Sequence, residues 1–188
     1  PTCLCRREEQ DDYSIGLEAE YFAREKGGIL LDDLYRISRS REAIQVAGEK
    51  TEPWKLLAYF IREMLKFLGI QEIIRNTKCL TITMETLDEV QVENLQKACS
   101  FLGLAPERFM LMDYEESFYY YVMTQKTETW NRSVGWYSFA GNHITFRKLT
   151  INSGSKPYLV RLENRTETDL REKPEERDED FAGFIKET

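Results

Sequence analysis

The sequence predicts an α/β protein with a mixed sheet and flanking helices, and three observations carry that expectation. From Lys78 to Leu149, short β-branched apolar runs alternate with longer segments that bear helix caps. A segment opening on Pro53 carries an apolar stripe at helical spacing, the mark of a helix laid on a sheet. The 188 residues are 41% hydrophobic and 31% charged, enough apolar material for a core within an ordinary globular composition.

Taken in order, the chain opens on a hairpin. Pro1 to Arg7 and Asp12 to Gly16 read as its strands, with the polar Glu8 to Asp11 as the turn. Leu17 to Lys26 and Leu30 to Ser38 place apolar groups at helical spacing on either side of the breaker Gly27-Gly28. Ala43 to Val46 is a short strand candidate, and Gly48 to Glu52 a loop. Pro53 suits a first helical position, and Trp54, Leu57, Ala58, Ile61, Leu65 and Leu68 share one face. Gly69 ends that helix, with Ile70 to Arg75 a candidate extra turn.

The central stretch follows. Cys79 to Met84 reads as a buried strand, Thr86-Leu87-Asp88-Glu89 fits a capping box, and Gly103 closes the helix it opens. Arg108 to Met112 is a second strand that meets Asp113, after which Glu115 to Gln125 is a helix crowded with aromatics. Ser133 to Phe139 is a third strand, turning through Ala140, Gly141, Asn142 and His143 into Ile144 to Leu149. The runs Leu80–Met84, Arg108–Met112 and Val134–Phe139 are expected side by side in one sheet, with the Pro53 helix on one face. Tyr158 to Leu162 offers one more strand, Glu163 to Asp180 reads as an exposed charged connection, and Phe181, Phe184 and Ile185 begin a short amphipathic helix.

Composition excludes several classes. A net charge of −7 with no basic stripe repels a phosphate backbone and argues against nucleic acid as a partner. No apolar run approaches the roughly 20 residues of a membrane span, and a cytoplasmic location is the expectation. Cys3, Cys5, Cys79 and Cys99 are too scattered for a disulfide framework; Cys3 and Cys5 share a strand face but have no further ligand nearby, so no metal site is assigned. The opening on Pro1 within a strand and the close on a charged helix suggest a piece of a longer protein.

Several of these motifs resemble the actin-like ATPase superfamily, which includes actin, sugar kinases and the seventy-kilodalton heat-shock chaperones. Pro1 to Cys5 followed by Tyr13-Ser14-Ile15-Gly16-Leu17-Glu18-Ala19 resembles the chaperone pattern of a Pro-led strand, a hairpin and Ile-Gly-x-x-Ala entering a helix. Leu80 to Leu104 is similar to the strand, capped helix and Gly-Leu end of actins and chaperones, and Met112 to Ser117 takes the place of the connecting motif. Val134 to Leu149 takes the place of the second phosphate loop. The chain is also similar to an uncharacterised bacterial family within that superfamily, whose members run longer at both ends.

That resemblance implies an incomplete ribonuclease-H-like fold in three parts. Residues 1–52 form a small hairpin-and-helix subdomain, 53–131 the helix and inner strands of a first lobe, and 132–188 the start of a second lobe with a charged end. It implies ATP and Mg²⁺ as ligands of a full-length protein, and none for this stretch alone, which lacks the first phosphate loop and the adenosine segment. In the family an acid opens the second phosphate loop and glycines follow it. Here Ser138 stands at the acid position, Ala140, Gly141 and Asn142 at the glycines, and His143 at the threonine. A hydroxyl cannot replace a carboxylate in orienting the waters of a dication. Asp113 stands where the family has its water-positioning Gln or Glu, one methylene shorter than Glu.

Each residue has a plainer reading. Asp113 is equally a helix cap, the reading its position favours. His143 is a solvated turn residue unless something binds it. Phe118 to Tyr121 are better explained as core plus rim than as a binding platform, Trp54 and Trp136 as core, and Trp130 as an exposed loop residue. The resulting expectation is a degenerate actin-like module that binds a protein partner or self-associates and hydrolyses ATP weakly or not at all. The alternative is a working ATPase whose other motifs lie outside these residues. An unrelated ribonuclease-H-like enzyme would need inward carboxylates on the strands, which carry almost none.

Overall fold

The computed structural model describes residues 2–7, 12–69, 78–126, 132–140, 142–152, 154, 159–170 and 174–188. The expected Glu8 to Asp11 turn, the extra turn at Ile70 to Arg75, Trp130 and Gly141 lie outside the described residues. The protein is a mixed α/β chain with six α-helices and four small sheets among the described residues. It divides into two compact units, Pro1–Ser117 and Phe118–Thr188.

In the first unit, β1 (Leu4–Arg6) pairs antiparallel with β2 (Tyr13–Ile15) on one side and β3 (Ile29–Leu31) on the other. Between them runs α1 (Gly16–Lys26), which stops because Gly27 adopts φ 72°, a conformation a side chain would strain, and returns its N–H to the Phe22 carbonyl. Cys3, Cys5 and Ala19 are buried together, so the two thiols do share a face. α2 (Leu34–Ser38) starts where the Asp33 carboxylate accepts the Arg36 N–H, and β4 (Ile44–Val46) folds back on β5 (Glu49–Thr51).

α3 (Pro53–Phe67) is the spine of this unit. Its Leu56 joins Leu4, Tyr13, Leu34 and Val46 in one core cluster, while Leu57, Ala58, Ile61 and Leu65 join Leu95 and Ala98 in a second. Leu80, Ile82 and Leu111 pack on that second cluster, so the helix covers the sheet formed by β6 (Leu80–Met84) and β7 (Phe109–Asp113), as expected. These two strands run parallel, joined by α4 (Glu89–Phe101). Gly103, at φ 81°, closes α4, and the Leu104 N–H returns to the Cys99 carbonyl at 3.0 Å.

A buried polar knot fixes α2 against α4. Gln91 Nε2 donates to Ser38 Oγ at 3.1 Å, and Asn94 Nδ2 donates to the carbonyls of Ser38 and Ser40, each at 2.9 Å. Ser38 and Gln91 are fully enclosed, and every bond in the knot satisfies a group that burial would otherwise leave without water.

The second unit begins at Phe118, within α5 (Tyr114–Thr124). Its antiparallel sheet has β9 (His143–Asn152) in the centre, between β8 (Arg132–Ala140) and β10 (Leu159–Asp169). One face, through Tyr137, Ile144 and Phe146, packs on Phe181 and Phe184 of α6 (Pro174–Glu187). The other, through Val134 and Ile151, packs on Phe118, Val122 and Met123.

Five expectations differ from what is observed. Val134–Phe139 does not share a sheet with Leu80–Met84 and Arg108–Met112; it pairs with β9, and parallel and antiparallel pairing occupy separate sheets. A hairpin closes a short loop, so its partner is reached at small entropic cost. Leu30 to Ser38 is not one helix, because Ile29–Leu31 pairs with β1 and the Asp33 cap delays helical winding to Leu34. The Gly48 to Glu52 loop is half strand. The capping box sits two residues later than expected: Asp88 accepts the Gln91 N–H and Gln91 returns its side chain to the Asp88 N–H. Glu163 to Asp180 is not a connection but most of β10 and the first half of α6. Its charges pair across the surface, Arg165 with Glu167 at 2.7 Å and Lys148 with Glu163 at 3.5 Å, so a charged run here marks a solvated face of regular structure.

Candidate functional site

The β8–β9 turn gathers the residues that sequence singled out. Cross-strand register puts Ser138 opposite Thr145 and Trp136 opposite Arg147, with their side chains on one sheet face, and pairs the backbone of Ala140 with that of His143. Arg147 is fully buried on that face. Its Nη1 donates to Ser138 Oγ at 2.9 Å, and its guanidinium lies 5.9 Å from the Trp136 ring centroid. Trp136 is in turn stacked on Phe118, with ring centroids 4.1 Å apart. The Ser138 hydroxyl is thus held by a cation.

The rest of the turn is also engaged. The Asn142 carbonyl accepts the Leu170 N–H at 2.7 Å, and its side-chain Oδ1 accepts from Arg177 Nη2 at 2.9 Å. His143 Nδ1 lies 2.7 Å from Asp169 Oδ1, and its Nε2 lies 3.8 Å from Glu167 Oε2. Among the described residues, no three His, Cys, Asp or Glu side chains converge into a set able to hold a metal ion. Ser138, Asn142 and His143 are therefore brought together, each with a protein partner, and Gly141 lies outside the described residues.

These residues do not fit a nucleotide-bound Mg²⁺. A dication's hydration shell needs carboxylate acceptors, whereas Ser138 Oγ already accepts from a buried guanidinium that would repel a second cation. Asn142 has its backbone carbonyl and its side chain committed to the end of β10 and to α6.

Asp113 belongs to the first unit. Its Oδ1 accepts the Glu116 N–H at 2.7 Å, the bond of an N-terminal cap on α5.

Sequence reasoning missed Arg147, Asp169 and Arg177. The signal for Arg147 was available, since in Ile144-Thr145-Phe146-Arg147 it has the same period-2 phase as Thr145, which the hairpin register places opposite Ser138. Asp169 and Arg177 lay in a charged run that gave no such phase.

Fold and turn together define a mixed α/β chain in which a hairpin near one sheet end is tied by buried and charge-assisted bonds. The chain belongs to a family described as a family of unknown function (DUF5716), C-terminal, whose model matches residues 1–188. No curated protein matches it. Among the described residues no helix is long and apolar enough to cross a membrane.

Proposed function

We propose that this chain is a module of actin-like, ribonuclease-H-like fold that has exchanged nucleotide hydrolysis for a role in protein binding or assembly. The observation that carries this reading is the Arg147–Ser138 hydrogen bond. Where the resemblance calls for a carboxylate facing Mg²⁺, a buried cation holds a hydroxyl, and the electrostatic sign of the place is reversed. The parallel β6–β7 pair, joined by a capped helix and covered by α3, supports the lobe-like part of the reading.

The test uses the longer polypeptide that includes the N-terminal part of the family, so that absence of other motifs cannot account for the result. Calorimetry with Mg-ATP should reveal no binding tighter than about 100 μM, near −5.5 kcal/mol. Light scattering should give the same mass with and without Mg-ATP. A micromolar dissociation constant would overturn the proposal and favour a working ATPase. Ser138→Asp should not create Mg²⁺-dependent binding, because Arg147 would capture the new carboxylate in a charge-assisted pair. Gain of such binding by that single variant would remove the electrostatic argument.

A further inference from the structure

β6 pairs with β7 along one edge, and no other strand among the described residues pairs with its second edge. Along that second edge runs a cavity of about 500 Å³. Every residue from Leu80 to Glu85 lines it, while none of Phe109–Asp113 does. Successive strand residues point to opposite faces, so a cavity lined by all of them lies edge-on, not over one face. Its apolar wall includes Phe60, Ile61 and Met64 of α3, and Thr2 also lines it.

We infer that this groove receives a parallel β-strand from the N-terminal part of the same family's polypeptide, which extends the β6–β7 sheet. Three observations select that occupant. Parallel sheets are stable when buried within larger sheets, and a two-stranded pair is marginal by itself. The open strand, Leu80-Thr81-Ile82-Thr83-Met84, has no proline, charge or bulge of the kinds that protect a solvent-facing edge. The family description places these residues in its C-terminal part, and Thr2 lines the groove, so polypeptide entering at Thr2 arrives beside β6 at high effective concentration. The inference does not depend on the nucleotide reading and survives its failure.

Amide hydrogen exchange on this chain and on the longer polypeptide tests it. In a parallel pair alternate N–H groups of β6 face β7, and the rest face the open edge. In this chain the open-edge amides should exchange quickly; in the longer polypeptide they should slow by about a hundredfold or more. Met64→Lys, or Thr83→Lys at an exposed position, should cost about tenfold of that protection while the β8–β9–β10 amides keep theirs as an internal reference. Equally fast exchange in both polypeptides, or no effect of either variant, would overturn the inference. Protection that grows with the concentration of this chain alone would overturn it in favour of a second copy.

Discussion

Asp88 does two jobs with one carboxylate. It accepts the Gln91 N–H at 2.8 Å as the cap of α4, and it pairs with Arg39 Nε at 2.7 Å. The cap bond first, and the arginine after it, hold its carboxyl below the ordinary range. A group whose folded pKa is depressed stabilises fully above its unfolded value, near about 4, and loses that contribution as pH falls through the folded value. The unfolding free energy should therefore fall more steeply from pH 4 towards pH 2 in the wild type than in Asp88→Asn, which keeps a capping oxygen without the charge. Urea unfolding at stepped pH measures the difference; parallel slopes would show that Asp88 contributes no linkage. Sequence placed a capping box here but began it at Thr86, because Thr-x-x-Glu and Asp-x-x-Gln overlap and both satisfy the pattern.

At the scale of elements, the entry to α5 is the point where the functional and structural readings of one residue diverge. Asp113→Ala should destabilise the protein by about 1 kcal/mol, within the range of about 0.5–2 for lost caps, and Asp113→Ser should recover most of it. Thermal unfolding of the two variants checks this, and equal losses in both would argue against the cap. The elements that sequence revealed well, α3, β6, α4 and β7, have unmixed signals: one apolar stripe, β-branched runs, a cap and a terminal glycine. Those it misread had mixed ones. Leu30 to Ser38 carries apolar groups that suit helical spacing, yet Ile29–Leu31 is drawn into pairing with β1. β10 is polar along most of its length and is specified by its partner β9, so its own residues carry little periodic signal.

For the whole molecule, each compact unit holds its own core, one built on α3 and the other on the two faces of the β8–β9–β10 sheet. The net charge of −7 should keep the chain off polyanions, so labelled duplex DNA should show no change in anisotropy on titration at about 0.15 M salt. Saturable binding there would reveal a basic surface that the overall charge conceals. The candidate site was half legible. Ser138, Asn142 and His143 could be picked out because they depart from a motif, but what they touch depends on Arg147, Leu170, Arg177 and Asp169. Those partners lie up to 35 residues away, as Arg177 does from Asn142, and only the folded register brings them to the turn.

The Arg147 guanidinium carries one further consequence. It is part of the chain and stays where the fold puts it, whereas a metal leaves when its nucleotide does. On the proposed reading, the positive charge beside Ser138 is tethered to the backbone and cannot be withdrawn. A module built around a permanent counterion has no timer: the surface it offers is offered continuously. On that proposal, control over it comes from how much of the chain is made, how long it lasts, and what competes for it.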